Sequence, residues 1–321
     1  MEQFVSKYAP VIEAAFQDYY KKYPEPARLY DPVRYILSLG GKRIRPALVL
    51  LAAESFGCPV ERAMNAALAI EVFHNFSLVH DDMMDHAPLR RGHRTVHNRW
   101  DENTAILSGD VMMIQAYELF EAYEGKDFRD IVLAFNRVAR LVCEGQQLDM
   151  DYEREDDVTI DRYMKMIGLK TAVLLGGALK IGGIVAHGTQ ADLATLYDFG
   201  YDIGIAFQLT DDYLDTFGNQ DTFGKRIGGD ILERKKTFLY IKALEKAGKD
   251  ALDEAYAGGD ETRRIESVRD LYVATGADKA LEEAIAEYTA RALAGVERMP
   301  FSPEYKGHYA ALARKLVDRK L

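Results

Sequence analysis

A long core helix is predicted by residues 59–85, PVERAMNAALAIEVFHNFSLVHDDMMD. Within this stretch Ala66, Ile70 and Phe73 recur at spacings of four and three, so their side chains lie on one apolar face of an α-helix. The next proline, Pro88, prevents the helix from continuing, because it lacks a backbone N–H and clashes with the preceding turn. The stretch therefore predicts a buried helix that ends shortly before that proline.

The rest of the chain also has helical periodicity. Apolar residues recur at three- and four-residue spacing in residues 105–123, 130–150 and 191–215. Alternating β-branched segments joined by tight-turn dipeptides are absent from the sequence. The glycine-rich segment 258–260 is typical of a turn between helices rather than of a domain boundary. We therefore predict an all-α fold with one domain over residues 1–321, a bundle of roughly ten or more helices.

Composition limits the kind of protein. The 321 residues are 48% hydrophobic and 29% charged, a balance that supports a folded core, and the net charge is −10. Such an acidic chain is a poor nucleic-acid binder, because phosphate backbones select basic surfaces. Cys58 and Cys143 are too few for a disulfide framework and favour a reducing compartment. We find no secretory signal and no apolar run near the roughly 18 residues that span a bilayer. We expect a cytoplasmic protein with no transmembrane segment and no nucleic-acid partner.

Three aspartates, Asp81, Asp82 and Asp85, end the helix predicted above. At about 100° per residue, positions i, i+1 and i+4 share one face. They lie at the negative end of the helix dipole, where several carboxylates repel one another unless cations bind them. Taken alone, this cluster fits a cation site or a solvated acidic patch. His74 lies on the same side of the helix seven residues before Asp81, which favours a ligand contact over an ordinary core histidine.

The same spacing returns at Asp211, Asp212 and Asp215, again after an apolar segment and before a helix end. A solvated patch is a poor explanation for two core helices that each deliver three aspartates at the C-terminal end. Hard oxygen ligands suit Mg²⁺, which binds through a few carboxylates, waters and substrate phosphates. EF-hand spacing for Ca²⁺ is absent from the sequence. The two clusters together predict a magnesium–diphosphate site.

Basic residues suited to the phosphates of such a substrate lie in two short segments. The glycines of residues 40–46, GGKRIRP, permit a close backbone approach to a ligand. Lys42 and Arg45 are three residues apart, so they share a helix face if Pro46 lies in the first turn of a helix. Arg90 and Arg91 are adjacent and point in different directions, so each suits bidentate contacts to one of two neighbouring diphosphates. Either pair alone would also fit ordinary surface charge.

The motifs, taken in order, resemble the trans-isoprenyl diphosphate synthase family. They are GGKRIRP (40–46), HNFSLVHDDMMD (74–85), RRG (90–92), EGQQLD (144–149), LKTA (169–172), FQLTDDYLD (207–215), FGK (223–225) and GGDILERKKT (228–237). A single DDxxD motif also occurs in class I terpene cyclases, whereas the ordered set is specific. The resemblance implies an isoprenoid-synthase-like helical bundle around a central cavity, and a homodimer.

The resemblance also implies a role for each matching residue. Asp81 and Asp85 are similar to aspartates that hold two Mg²⁺ ions on the allylic diphosphate, Asp211 to the ligand of a third, and Asp82, Asp212 and Asp215 to residues acting mostly through waters. The implied partners of the allylic diphosphate are Arg90, Lys170, Lys225 and Lys235. Those of isopentenyl diphosphate are Lys42, Arg45, His74 and Arg91. Catalysis is implied for Lys170, Thr171 and Gln208, the last two by dipoles that face the developing carbocation, with Gln146 and Asp149 as a supporting polar pair.

The implied reaction joins isopentenyl diphosphate to dimethylallyl, geranyl or farnesyl diphosphate, and it needs no nucleophilic serine or cysteine. Phe76, Ser77 and Phe73 are predicted to form the floor of the product pocket. An aromatic residue five positions before the first aspartate and a small residue four before it imply geranylgeranyl diphosphate (C20). Farnesyl diphosphate (C15) is the alternative, and plain core packing is the other interpretation of the phenylalanines.

Two different functions compete with this interpretation. A class I terpene cyclase would share one DDxxD motif, but it needs no isopentenyl diphosphate site, and the second aspartate cluster and Lys42 argue against it. A non-catalytic partner subunit would keep the fold and lose the acidic motifs, which are intact in this sequence.

Overall fold

The computed structural model describes residues 2–218 and 227–317, with side chains from residue 7 onward, and is almost entirely helical. The helices are α1 (Glu2–Lys21), α2 (Ala27–Ser38), α3 (Ile44–Ser55), α4 (Val60–Met84), α5 (Val96–Arg99), α6 (Glu102–Phe120), α7 (Gly125–Glu153), α8 (Ile160–Ile167), a π-helical turn (Gly168–Ala172), α9 (Val173–Val185), α10 (Gln190–Phe217), α11 (Gly229–Leu232), α12 (Phe238–Ala257), α13 (Glu261–Thr275), α14 (Ala277–Arg298) and α15 (Pro303–Val317). Within the described ranges, the extended structure is one two-residue ladder, β1 (Leu89–Arg90) against β2 (His93–Arg94). The all-α prediction is confirmed.

Helical periodicity predicted the long helices to within a few residues. The segments 59–85, 105–123, 130–150 and 191–215 correspond to α4, α6, α7 and α10. The predicted turn at 258–260 separates α12 from α13. The Asp260 side chain begins α13, since it accepts a hydrogen bond from the backbone nitrogen of Arg263 at 2.9 Å.

The chain is divided into two compact units. The first comprises Met1–Ala139, Gly177–Tyr197 and Pro300–Tyr305. The second comprises Arg140–Gly176, Asp198–Met299 and Lys306–Leu321. The single domain expected from the sequence stays a prediction.

The core of the first unit is built around α4. This helix packs against α1, α2, α3 and α6, and it is buried on most sides, which explains why its apolar residues occupy more than one narrow stripe. Gly109 permits the close approach of α6, because a Cβ atom there would lie 2.2 Å from Nε2 of His80. Phe73 of α4 is fully buried and packs edge-on against Phe135 of α7, with ring centroids 5.1 Å apart. The aspartate cluster is therefore carried by a firmly packed helix.

The core of the second unit joins α8, α10 and the C-terminal helices. Its buried residues include Tyr163 of α8, Leu209 of α10, Phe238 of α12, Tyr272 of α13 and Leu281 of α14. The π-helical turn follows α8 directly and carries the LKTA motif. A π turn adds a residue to the helical turn, and such turns recur at functional sites.

One described stretch, Ile160–Val185, is long and apolar enough by length and composition to span a membrane. However, 78% of its most apolar window is buried inside the protein. That burial is typical of a core helix. The expectation of no transmembrane segment stays a prediction.

Candidate active site

The first aspartate cluster lies in the last turn of α4, as predicted. Backbone hydrogen bonds end the helix there, with the nitrogen of Asp85 donating to the oxygen of Asp81 at 2.9 Å. His86 then takes a left-handed backbone conformation, with φ of 50°. The three carboxylates thus lie together at the negative end of the helix dipole.

Asp82 is held by Arg90. Its side chain is 1% exposed and accepts hydrogen bonds from Arg90 Nε, at 2.9 Å, and from Nη2. Arg90 Nη2 also lies 3.8 Å from a carboxylate oxygen of Asp81. Burial raises the pKa of Asp82, although Arg90 opposes this effect. Asp82 therefore holds the Arg90 guanidinium beside the aspartate cluster. This contact suits the prediction that Asp82 acts on a metal only indirectly, through water.

The β-hairpin sends the two arginines in different directions, as the sequence predicted. Arg91 and Gly92 are its two loop residues, and both have positive φ (54° and 77°), the conformation of a tight type I′ turn. Arg90 turns toward α4, whereas Arg91 Nη1 donates to the carbonyl oxygen of Gly40. A Cβ atom on Gly41 would lie 2.9 Å from Arg91 Cζ, so this loop position accommodates only glycine without a shift. Arg91 and the 40–41 loop are therefore brought together.

Arg45 and His74 also meet in the first unit. Arg45 Nη1 lies 3.1 Å from His74 Nε2. Burial lowers the pKa of His74, and the nearby charges of Arg45 and Arg91 lower it further, so the ring is neutral near pH 7. Because a guanidinium only donates, Nε2 accepts and the ring proton lies on Nδ1. Pro46 lies in the first turn of α3, but Lys42 lies before the first residue of that helix, so the predicted shared helix face of Lys42 and Arg45 is wrong.

The middle cation of the GGKRIRP motif has a different role, which the sequence did not reveal. Arg43 is 3% exposed and has φ of 46°. Its guanidinium donates to Glu13 at 2.7 Å, to Glu71 at 2.8 Å and to the carbonyl oxygen of Leu37 at 2.5 Å. Arg43 therefore anchors the loop through buried contacts to Glu13, Glu71 and Leu37.

In the second unit, Asp212 of α10 is the centre of a hydrogen-bond chain. Its Oδ1 accepts from Gln208 Nε2 at 3.1 Å, and its Oδ2 accepts from the Tyr163 hydroxyl. Gln208 Oε1 in turn accepts from the Thr171 hydroxyl at 3.1 Å. Burial and the nearby Asp230 raise the pKa of Asp212, while both donors lower it. Sequence analysis missed Tyr163, which has no charge and no motif to mark it.

Lys170 lies on the π turn and is held by α7. Its Nζ lies 2.6 Å from Asp149 Oδ2. The backbones are close at this point, since a Cβ atom on Gly145 would lie 2.2 Å from the backbone nitrogen of Lys170. Gln146 lies one turn before Asp149 on α7, and its buried Nε2 makes no hydrogen bond to the described residues. Of the predicted supporting pair, Asp149 therefore forms an ion pair with Lys170, and Gln146 contributes a buried amide nitrogen.

The GGDILERKKT segment completes this half of the site. The backbone nitrogen of Asp230 donates to Asp215 Oδ1 at 3.0 Å. Lys235 Nζ lies 3.1 Å from Glu233 and 3.8 Å from Asp230, and these carboxylates raise the pKa of Lys235 against the lowering effect of burial. Asp230 belongs to the GGDILERKKT motif, but the motif alone does not reveal that its carboxylate lies near Lys235. Lys225 lies outside the described residues.

These side chains surround a cavity of about 120 Å³ within the second unit. It combines carboxylates, lysines and uncharged hydrogen-bonding groups. The polar lining residues include Asp149, Tyr163, Lys170, Thr171, Gln208, Asp212, Asp230 and Lys235. An anion that carries cations, such as a metal-bound diphosphate, matches this mixture of charges.

The carboxylate set fits Mg²⁺ by its chemistry. Asp81, Asp85, Asp211 and Asp215 offer hard oxygen ligands at two helix ends. Within residues 2–218 and 227–317, no group of three or more His, Cys, Asp or Glu side chains is arranged to hold a metal by itself. This arrangement is compatible with Mg²⁺, which takes few protein ligands and fills its remaining positions with water and phosphate oxygens.

Comparison with known proteins identifies the family. The polyprenyl synthetase family model matches residues 26–274. The chain belongs to the polyprenyl synthetase family. The resemblance inferred from its motifs is thereby confirmed, and so is its assignment as a prenyltransferase.

Individual members of the polyprenyl synthetase family match almost the whole chain. A geranylgeranyl pyrophosphate synthase of Geoglobus acetivorans is 35% identical over 99% of both chains. A crystal structure of a geranylgeranyl pyrophosphate synthase has a TM-score of 0.91 and 46% identity, covering 97% of this chain and 99% of its own. A Corynebacterium glutamicum geranylgeranyl pyrophosphate synthase, complexed with isoprenyl diphosphate and magnesium, has a TM-score of 0.82 and 26% identity, covering 99% and 96%.

The predicted pocket-floor residues differ in their surroundings. Phe73 is completely buried, which suits core packing. Phe76 is half-buried and packs against His80, with ring centroids 4.9 Å apart. Ser77 is also half-buried, and its hydroxyl donates to the carbonyl oxygen of His74 at 2.8 Å. Their part in setting product length stays a prediction. Of the two aromatic residues, Phe76 suits the pocket floor better, because its ring is only half-buried.

Proposed function

We propose that this prenyltransferase condenses isopentenyl diphosphate with allylic diphosphates and releases geranylgeranyl diphosphate. The observation that carries the proposal is that each unit pairs an aspartate cluster at a helix end with its own cations. Arg90 lies beside Asp81 and Asp82, while Lys170 and Lys235 line the same cavity as Asp212 of α10. Such pairing suits a substrate that is an anion and carries divalent cations.

The residues divide the work between two diphosphates. The aspartates of α4 and α10 would hold Mg²⁺, which we propose as three ions on the allylic diphosphate. Arg90, Lys170 and Lys235 bind that same group directly. When bound, the metal neutralises charge on the leaving diphosphate, so that its bond to the allylic carbon ionises. Supporting this assignment, a similar synthase was crystallised with isoprenyl diphosphate and magnesium.

Isopentenyl diphosphate is assigned to the basic group of the first unit. Lys42, Arg45, His74 and Arg91 bind its phosphates, and neutral His74 donates through Nδ1 because Nε2 is engaged by Arg45. Binding holds the double bond of isopentenyl diphosphate in position to attack the allylic cation, so the two substrates need not collide in the correct orientation. The released diphosphate takes the proton whose loss restores the alkene.

The product assignment is supported by two observations. Similar proteins are named geranylgeranyl pyrophosphate synthases. Phe76 also lies five residues before Asp81, with the smaller Ser77 between it and the cluster. Farnesyl diphosphate is the second candidate, because a narrower pocket would stop elongation one unit earlier. The intact aspartate clusters argue against a non-catalytic subunit and, with the isopentenyl diphosphate group, against a terpene cyclase.

We further propose a cytoplasmic homodimer. Both cysteines, Cys58 and Cys143, are free thiols, which favours a reducing compartment. Large apolar side chains are exposed along α6, where Leu107 and Ile114 lie two turns apart at 60% and 58% exposure. A second copy that covers this row would bury it.

The direct test supplies purified protein with Mg²⁺, isopentenyl diphosphate and, in parallel, dimethylallyl, geranyl or farnesyl diphosphate. We expect products that end at C20, detected by chromatography after removal of the phosphates. Asp81→Ala and Asp211→Ala should each abolish turnover while the circular dichroism spectrum stays helical. Products ending at C15 would correct the chain length alone. Absence of condensation with every primer by a folded protein would contradict the proposed function.

A further inference from the structure

The hydroxyl of Tyr163 is joined to the reaction site by a continuous line of hydrogen bonds. Tyr163 lies on α8, is 2% exposed, and donates to Asp212 Oδ2. Gln208 Nε2 donates to the other oxygen of Asp212, at 3.1 Å. Thr171 donates its hydroxyl proton to Gln208 Oε1, also at 3.1 Å. The four side chains all line the same cavity of the second unit.

The direction of these hydrogen bonds sets the polarity of the Thr171 hydroxyl. Both oxygens of Asp212 accept, so the Gln208 amide turns its NH₂ group toward Asp212 and its carbonyl toward Thr171. The hydroxyl proton of Thr171 is therefore donated to Gln208 Oε1. The lone pairs of the Thr171 oxygen are then available to the cavity, which is the polarity that stabilises a developing cation.

Tyr163 can act as a fixed point because its ring is firmly packed. The ring belongs to the buried core of the second unit and meets Phe238 edge-on, with centroids 6.4 Å apart. Without the hydroxyl, Asp212 Oδ2 would lose its donor inside the protein, and the carboxylate would be free to rotate or to recruit another donor. The Gln208 amide would then lose the constraint that selects one of its two orientations.

We infer that Tyr163 is a positioning residue for prenyl transfer. Its hydroxyl holds Asp212, and Asp212 in turn orients the Gln208 amide. The inference rests on the proposed function and on the role that the family resemblance implies for Thr171 and Gln208, whose dipoles would face the developing carbocation. Removal of the hydroxyl should therefore impair the chemical step and leave the binding of isopentenyl diphosphate unchanged, because that substrate is assigned to residues of the first unit.

The main test compares Tyr163→Phe with a matched variant, Tyr272→Phe. Tyr272 is also 2% exposed and belongs to the same core, but its hydroxyl meets that of Tyr256, at 3.2 Å, and is not part of the cavity lining. At saturating Mg²⁺, we expect Tyr163→Phe to lower kcat about 10- to 100-fold, with KM for isopentenyl diphosphate unchanged. Tyr272→Phe should keep the wild-type kcat. Equal kcat values for the two variants would overturn the inference, and so would recovery of the Tyr163→Phe kcat at Mg²⁺ concentrations above those that saturate the wild type.

A double-mutant cycle with Gln208→Leu tests the route of the effect. If Tyr163 acts through Gln208, adding Tyr163→Phe to Gln208→Leu should cause little further loss of kcat. Multiplicative losses would show that the hydroxyl acts elsewhere and would overturn the inference. Thermal unfolding and calorimetric binding of inorganic diphosphate with Mg²⁺ supply readouts besides turnover. A common fall in Tm for the two tyrosine variants, with diphosphate affinity retained, is expected.

Wild-type turnover in the same assay separates this inference from the proposed function. If the wild-type protein condenses no substrates, the proposed function fails and the inference fails with it. If the wild type condenses them and Tyr163→Phe does so equally fast, the inference alone is wrong.

Discussion

Within residues 40–46, neighbouring cations have opposite surroundings. Arg43 turns into the first unit and meets the buried Glu71, whereas Lys42 is exposed and Arg45 reaches His74. The left-handed backbone at Arg43 separates its direction from those of its neighbours. A buried guanidinium is stable only when its donors are satisfied, and the carboxylates and carbonyl around Arg43 meet that requirement.

Replacement of Arg43 should therefore act on stability first. Arg43→Met leaves Glu71, 2% exposed, without its ionic partner, and removing one member of a buried pair costs about 3–5 kcal/mol. Denaturant unfolding followed by circular dichroism measures the loss. Arg28→Gln is the control, because Arg28 and its partner Asp101 are both solvent-exposed, and it should change stability little. Equal stability of the two variants would refute the anchoring role.

Phe76 and Phe73 are adjacent on α4 and have different expected roles. Phe76→Ala should lengthen the product beyond geranylgeranyl diphosphate, because it removes a half-buried ring at the expected end of the pocket. Phe73→Ala should instead lower stability by about 3–5 kcal/mol, since that ring is fully buried. The test measures the product chain lengths of the wild type and of Phe76→Ala, with Phe128→Ala, a substitution of an exposed phenylalanine, as the control. An unchanged product from Phe76→Ala would remove it from the pocket floor.

At the scale of the helices, the site depends on unusually close backbone approaches. The π turn Gly168–Ala172 is bordered by two glycines, Gly145 of α7 and Gly204 of α10. A Cβ atom on Gly204 would lie 2.5 Å from the Cα of Ala172. Both clashes involve backbone atoms, which cannot move aside as a flexible side chain can. The two glycines therefore fix the position of Lys170 and Thr171 on the turn.

Gly145→Ala tests whether the close packing of α7 against the π turn determines the position of Lys170. The added Cβ would lie 2.2 Å from the backbone nitrogen of Lys170, so the turn must shift. Because the proposed function places Lys170 of this turn on the allylic diphosphate, such a shift should lower kcat by about tenfold or more. Gly307→Ala in α15 is the control, because among the described residues no atom outside its own stretch of helix backbone lies within 4 Å of the new Cβ, and alanine favours a helix. Wild-type kcat in Gly145→Ala, with Tm maintained, would contradict the proposed dependence.

The helices were predictable where spacing alone determines them, and the π turn was not. The helix α4 shows its apolar spacing in the sequence, and the aspartate clusters could be placed at helix ends for the same reason. The LKTA motif continues the apolar pattern of α8 and α9, so nothing local distinguishes a π turn from an α-helix. Arg43 and Tyr163 were missed because their roles depend on Glu71 and Asp212, which are distant in sequence.

At the scale of the whole molecule, the overall negative charge contrasts with the few cations that lie beside the aspartates. The net charge of −10 is a poor general environment for diphosphates, so binding depends on a few cations placed beside the aspartates. In each unit these cations are held by carboxylates in the structure, as Arg90 is by Asp82 and Lys170 by Asp149. Fixed ion pairs keep the side chains in place before a substrate arrives, which reduces the entropy lost on binding.

The exposed row on α6 leads to a prediction for the assembled protein. Leu107 and Ile114 lie seven residues apart on one face of α6 and are 60% and 58% exposed. Burying such groups favours association by about 25 cal/mol per Å² of apolar surface, whereas a buried unpaired carboxylate opposes it. Leu107→Glu combined with Ile114→Glu should convert a dimer into monomers, measured by light scattering after size-exclusion chromatography. Val273→Glu, at an exposed apolar position of α13 with 54% exposure, should leave the dimer intact. A dimer that survives both substitutions on α6 would place the interface on another face.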